Sequence, residues 1–372
     1  MRTNREVTLA LTGDVMTGRG IDQILPYPGD PRLYEPYVGD AREYVKLAEH
    51  KSGPIRRGVD FSYIWGDALE AFERTAPDIR LINLETSITD ERIPWPGKGI
   101  NYKMNPPNFS CLTAAEIDCC VLANNHVIDW GFSGLADTLR ALQSGGVDRA
   151  GAGLNLAEAQ RPAVKHFGDE QRIVVFALGA ATSGIPESWA ATEVSAGVLL
   201  LPNLDERNAQ KIGERILSER GPHDIIVVSI HWGANWGYSI PQTHVRFAHR
   251  LIDMGAADLI HGHSSHHVLP FQIYKKKLIL YGCGDFIDDY EGIGGHERYR
   301  SELTALYAVT MESATGNLVS LRLLPLEIKH FRLNSVAHAD ALWLCERLCR
   351  EGARFGTRVS VGNDGALWWN GP

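Results

Sequence analysis

Along this 372-residue chain, short apolar runs alternate with longer amphipathic stretches. Residues 7–11, 79–84, 119–123, 173–178 and 225–230 are continuous, apolar and rich in β-branched side chains. Residues 259–260 and 278–281 follow the same pattern. Runs of this length and composition predict strands buried on both faces. Between them, residues 63–74, 134–144, 204–220 and 243–254 predict helices. In the last of these, Val245, Ala248, Leu251 and Ile252 fall near a 3.6-residue period. Strand, loop, helix, strand is the order of an α/β layered fold. Further on, residues 303–311 and 318–328 flank Thr315-Gly316-Asn317 and predict a strand pair joined by a tight turn. A helical pattern covers 337–350.

Two segments carry no period. Residues 25–58 are rich in Pro, Gly, Tyr and charge, and residues 93–107 are interrupted by Pro and Gly. Both predict long surface excursions, which in a compact domain are often functional. The expected organisation is one domain over 1–335 with insertions near 25–58 and 93–107. A C-terminal helix and tail, 336–372, is expected to pack on the same domain.

Composition narrows the function. Hydrophobic residues are 44% and charged residues 22% of the chain, as in an ordinary globular protein. The formal net charge is −8 and no basic stripe is present, which excludes sequence-independent nucleic-acid binding. An acidic balance leaves anionic substrates open, because a bound metal reverses the local field. None of the six cysteines forms a CxxC pair, so they are expected to be reduced and mostly buried, and a structural zinc site is disfavoured. Residues 1–6 are polar, and the apolar run 7–11 is shorter than a signal-peptide core of roughly 7–15 residues or a membrane span of about 20. No membrane segment is expected, and the expected location is cytoplasmic.

Position is the main signal. Asp14, Glu85, Asn125, His126, His231, His263 and His266 all sit at or just after the C-terminal end of a predicted strand. In open α/β sheets, ligands bind outside those ends. Any one of these residues has a commoner use, as a helix cap, a turn or a packed histidine. Seven at successive strand ends point to convergence. Carboxylate, amide oxygen and imidazole together suit a divalent cation such as Mn, Fe, Zn, Mg or Ca.

Gly13-Asp14-Val15-Met16-Thr17-Gly18-Arg19 resembles the opening motif of CapA-like (poly-γ-glutamate capsule synthesis) proteins, within the calcineurin-like metallophosphoesterase superfamily. Asn83-Leu84-Glu85, Asn124-Asn125-His126, His231-Trp232-Gly233 and Gly262-His263-Ser264-Ser265-His266 are similar to the later motifs, in the same order. Tyr281-Gly282-Cys283-Gly284-Asp285-Phe286 is similar to the closing block, where Asn is usual at the position of Asp285. The resemblance implies a calcineurin-like four-layer α/β/β/α sandwich with one or two divalent metal ions at one sheet end. It implies metal-ligand roles for Asp14, Glu85, Asn125, His231, His263 and His266, with His267 or Ser265 as alternatives to His266. It implies an acid/base role for His126. Two positions depart from phosphoesterases of this fold: Met16 stands where they have His, and Asn83-Leu84-Glu85 stands in place of Gly-Asp. A lost imidazole and a longer carboxylate leave open whether one cation or two would bind.

Three functions follow. The first is a metal-dependent enzyme acting on a peptide or poly-γ-glutamate-type substrate, by amide hydrolysis or by Cα epimerisation. Both need a polarised carbonyl and a nearby base. The expected acid/base pairs are His126 with Asp129, and His296 with Asp285 or Asp289. Arg19 is expected to add positive charge. Trp130, Trp232 and Trp236 are expected either to wall the substrate site or to pack in the core. The second reading is a phosphoester hydrolase of the same fold, and the third a non-catalytic capsule or polymer assembly protein.

Overall fold

The computed structural model describes residues 6–167 and 171–371; the polar N-terminal residues 1–5 noted above lie outside them. Two large sheets organise the chain. The first has ten strands. Its centre is Glu6–Val15, which pairs in parallel with Ile79–Leu84, itself parallel to Cys119–Val121, and that strand to Asp148–Ala150. On its other side, Leu303–Glu312 runs antiparallel and continues into the hairpin partner Asn317–Lys329. A short strand, Asp285–Ile287, joins the C-terminal end of Glu6–Val15 in parallel.

The second sheet has seven strands. Gln171–Ala180, Asp224–His231, Leu259–His263 and Lys277–Leu280 lie side by side in parallel register. Their side chains divide by parity, as the two-residue period of a strand requires. Ile173, Val175, Ala177, Ile225, Val227 and Leu259 join the core of the first sheet. Val174, Phe176, Leu178, Ile226, Val228 and Ile260 join a separate core with Ile212 and Ile216 of helix Glu206–Glu219 and Val245, Ala248 and Leu251 of helix Gln242–Asp253. So the two sheets face each other, and the second sheet's outer face is covered by helices. Helices Ala68–Thr75 and Gly131–Ser144 pack into the first sheet's core through Ala68, Phe72, Leu135, Leu139 and Leu142.

Several boundaries differ from the sequence reading. The helix expected over 63–74 begins only at Ala68. Gly66 sits at φ 47°, and a Cβ there would lie 2.1 Å from the Leu333 carbonyl oxygen, so the chain turns before it can coil. The 25–58 excursion is not all loop. It holds helix Arg42–Ser52, whose Tyr44 packs with Leu33 and Ala41 in a small core of its own. The 93–107 excursion returns inward at Lys103–Met104, which pairs in parallel with Ser87–Ile88. After helix His338–Glu351, Val359–Val361 and Leu367–Trp369 add two antiparallel strands to the edge of the first sheet. No helix among the described residues is long and apolar enough to cross a membrane.

Candidate metal centre

Strand register brings the strand-end residues together. His231 and His263 are direct neighbours across the parallel pair Asp224–His231 and Leu259–His263. Asp14 stands opposite Asn83 on one side and Asp285 on the other. Glycine is required just before it: a Cβ on Gly13 would lie 1.6 Å from the Gly284 carbonyl oxygen. Asp14, His231 and His263 each offer one ligand atom, and these atoms all lie within 4.8 Å of one another. The Nδ1 atoms of His231 and His263 are 2.8 Å apart, and His263 Nδ1 is 3.8 Å from Asp14 Oδ1. Asn83 Nδ2 donates to Asp14 Oδ1 at 2.8 Å and to Glu85 Oε2 at 3.0 Å, which holds both carboxylates on the cluster. On the far side of His231, Nε2 meets Asn125 Oδ1 at 2.9 Å and Glu85 Oε1 at 3.9 Å.

The electrostatics fit a cation. Burial, then the nearby Asp285, pushes Asp14 up to about 7. Burial and then Asp14 raise Glu85 well above the usual carboxylate range. Asp285 and Asp288 are also raised, by burial first. Burial holds His231 and His263 well below the ordinary imidazole value, so both rings are neutral. Crowded buried carboxylates beside neutral imidazoles are a donor set that a divalent cation satisfies.

Beside this cluster lies a buried imidazole–carboxylate pair. His126 Nδ1 and Asp129 Oδ2 are 2.7 Å apart, and His126 Nε2 is 3.9 Å from Glu85 Oε1. The His126 ring meets Tyr102 edge-on. Burial lowers its pKa to about 4, with Asp129 opposing. Lys98, absent from the sequence reading, completes the group. Its ammonium donates to Asp129 Oδ1 and to the Ile100 carbonyl, and lies 3.0 Å from His126 Nδ1. A single lysine in an aperiodic Pro/Gly segment carried no signal that could have found it.

A cavity of about 860 Å³ lies alongside the site, lined by His266, Asp288, Asn235, Trp236 and Tyr290 and by Tyr37, Tyr44 and Leu47 of the 25–58 insertion; His266, through its contact with Asp285, is its link to the Asp14 cluster. Another, of about 850 Å³, lies by Glu6 at the opposite end of the first strand, about 27 Å from Asp14 by the rise of an extended chain. It touches none of these residues.

With that geometry in place, similarity to known proteins is informative. The family described as "Bacterial capsule synthesis protein PGA_cap" matches residues 8–290. A "Probable polyglutamine synthesis accessory protein" of Mycobacterium tuberculosis (strain H37Rv) is 48% identical over 362 residues, covering 97% of this chain and 95% of that protein. The chain belongs to the PGA_cap family. More distant relatives are "Capsule biosynthesis protein CapA" of Bacillus anthracis, 23% identical over 77% of this chain and 61% of that protein, and "PGA biosynthesis protein CapA" of Bacillus subtilis, 25% identical over 76% and 63%.

Within this PGA_cap chain, several expected roles are placed differently. His266 stands apart from the Asp14, His231 and His263 cluster. Its Nδ1 donates to both oxygens of Asp285, at 2.8 and 2.9 Å, and its Nε2 accepts from Asn235 at 2.8 Å, so both nitrogens are engaged. Of its alternatives, His267 accepts from the Gly237 amide, and Ser265 donates to the His267 carbonyl. His296 pairs with neither Asp285 nor Asp289. It is exposed and stacks on Trp236 at 3.9 Å, because Asp285 is taken by His266 and Asp289 by Arg19. Arg19 is not a free charge: it binds Asp289 and Glu35 and lies over the Tyr44 and Tyr102 rings, with both ion-pair partners fully buried. Trp130 and Trp232 are core residues; Trp232 stacks on His244 behind the second sheet. Trp236 alone of the three lines the cavity. Met16 is buried, with its sulfur 3.6 Å from the Tyr290 hydroxyl.

Proposed function

We propose that this PGA_cap chain is a metal-dependent enzyme of calcineurin-like layering that acts on an amide-linked substrate, a polyglutamate-type chain or a peptide. The observation that carries this reading is the buried Asp14, His231 and His263 cluster lying beside His126 and Asp129. The facing sheets, with helices outside and the cluster at the strand ends, support the layering. The amide-linked polymer is suggested by the relatives' names, one of which reads polyglutamine synthesis and another PGA biosynthesis.

Asp14, His231 and His263 would hold the cation, with Glu85 and Asn125 beside them. When bound, such a cation polarises a carbonyl and acidifies water. The chain's own residues do the rest. Asp129 accepts from His126 Nδ1, which leaves the Nε2 lone pair facing Glu85 and the site, so His126 takes up a proton there. Lys98 balances the buried Asp129 carboxylate and keeps the pair aligned. His266 with Asp285 is a second imidazole–carboxylate pair, and it faces the cavity. Epimerisation requires a proton to leave one side of Cα and return from the other, so His266 Nε2 would have to exchange its Asn235 contact for the substrate to act as the second group.

Incubation of an oligo-γ-glutamate with Mn in heavy water tests this. New amine ends report hydrolysis; deuterium at Cα without cleavage reports epimerisation. Either product, lost in His126→Asn, supports the proposal. Neither product from wild type counts against it, as would turnover of p-nitrophenyl phosphate alone, which assigns phosphoester hydrolysis. The name "accessory protein" favours a second reading, a polymer-assembly factor. Binding of the oligomer without turnover is its signature.

A further inference from the structure

His261 and Ser229 are buried polar residues that the proposed chemistry does not use. They are direct neighbours in the parallel register of the second sheet, two residues before the neighbours His231 and His263. With the two-residue period of a strand, all four side chains point to the same face, toward the first sheet. There, pairing of Glu6–Val15 with Ile79–Leu84 shifts register between Leu11 and Asp14. The Thr12 carbonyl in that break accepts a hydrogen bond from His261 Nε2 at 2.7 Å.

That contact starts a chain of forced choices. A carbonyl only accepts, so His261 carries its proton on Nε2. His261 is fully buried, its hydrogen-bond partners are the Thr12 carbonyl and the Ser229 hydroxyl, and among the described residues no carboxylate pairs with it to balance a charge, so the ring is neutral and its Nδ1 is a lone pair. Ser229 Oγ lies 3.0 Å from that Nδ1 and must donate to it. A hydroxyl has one proton. The same oxygen lies 2.9 Å from His263 Nε2 and must therefore accept there. His263 is then protonated on Nε2, and its Nδ1 lone pair faces His231 Nδ1 and Asp14 Oδ1. The outcome does not depend on which way the Asn125 amide points.

We infer that the Thr12 carbonyl, His261 and Ser229 form a relay across the two sheets that fixes the tautomer of His263 and aims its Nδ1 lone pair at the cation position. Ser229 and His261 are positioning residues. Their link to metal affinity rests on the metal-centre reading above; the tautomer itself does not.

Two measurements test the relay and separate it from that reading. Nitrogen-15 NMR of the metal-free wild type should show both His261 and His263 protonated on Nε2. Competition against a chelator should show Mn or Zn bound about 10–100-fold more weakly by Ser229→Ala, and within a few-fold of wild type by Ser229→Thr, which restores the hydroxyl. His263 protonated on Nδ1 would overturn the relay, as would unchanged affinity in a folded Ser229→Ala. If that variant does not fold, the wild-type tautomers decide. The expected tautomers in a wild type that binds no metal would uphold the relay and sink the metal-centre reading instead.

Discussion

His231 and His263 sit opposite each other on adjacent parallel strands, and their Nδ1 atoms are 2.8 Å apart beside the Asp14 carboxylate. Two buried neutral rings meet nitrogen to nitrogen with an acid at the third corner, and the three residues offer donor atoms that all lie within 4.8 Å of one another. The relationship follows from register: each histidine is the last residue of its strand, and the parallel pairing sets them opposite each other.

That arrangement fixes a pH dependence. Asp14, pushed up to about 7 by burial and then by Asp285, must lose its proton to bind a cation. His231 and His263 are already neutral and compete with no proton. Metal affinity should rise about tenfold per pH unit up to about pH 7 and flatten above it. Without a cation the sign reverses for stability: the contribution of Asp14 is full below its unfolded value near 4 and is lost as pH rises through about 7. Chelator-competition titrations at several pH values check the first slope; a flat profile below pH 7 contradicts it.

Asp129 and Lys98 should matter through His126. Replacing Asp129 with Asn removes the acceptor that orients the ring, and Lys98→Met leaves Asp129 without its cation. Each variant should lower turnover of the oligo-γ-glutamate about 100-fold or more, the usual span for an acid/base group. Metal content should stay at the wild-type level, because neither residue is placed on the cation. Wild-type turnover in both variants would remove His126 from the chemistry.

Much of the site was legible in the sequence because strand ends are marked locally. A β-branched run followed by Asp14, Glu85, Asn125 or His231 shows both where the strand stops and which side chain stands there. Parallel pairing then does the assembly. His261 could have been read the same way, since it lies two residues before His263 on one strand and so shares its face. What failed was pairing across long separations. Closeness in sequence pairs His296 with Asp285 or Asp289, whereas His266 reaches Asp285 from the neighbouring motif. Arg19 finds Asp289, which lies 270 residues further on. Lys98 and Tyr102 are held at the site by Asp129 and by the pairing of Lys103–Met104 with Ser87–Ile88, contacts no periodicity announces.

Arg19 should prove structural. One guanidinium ties Glu35 of the first insertion to Asp289 of the closing loop, over Tyr102 of the second insertion. Arg19→Met would leave two buried carboxylates without a cation and should cost about 3–5 kcal/mol of stability. Urea unfolding measures it, and a loss under about 1 kcal/mol contradicts the clamp.

Gly13→Ala should be equally costly for a different reason. The added Cβ would meet the Gly284 carbonyl oxygen, which also accepts from the Asp14 amide at 3.0 Å. The strands must separate to admit it, at about 3 kcal/mol or more. A thermal midpoint unchanged from wild type would show that the contact yields easily.

The central claim is tested most directly by metal content. Mass spectrometry on purified wild type, Asp14→Ala and His263→Ala, each after incubation with Mn and Zn, compares the three. The account predicts at least one equivalent of divalent metal in wild type and its loss from both variants, with all three folded. Wild type free of metal, or either variant retaining the full equivalent, would contradict it.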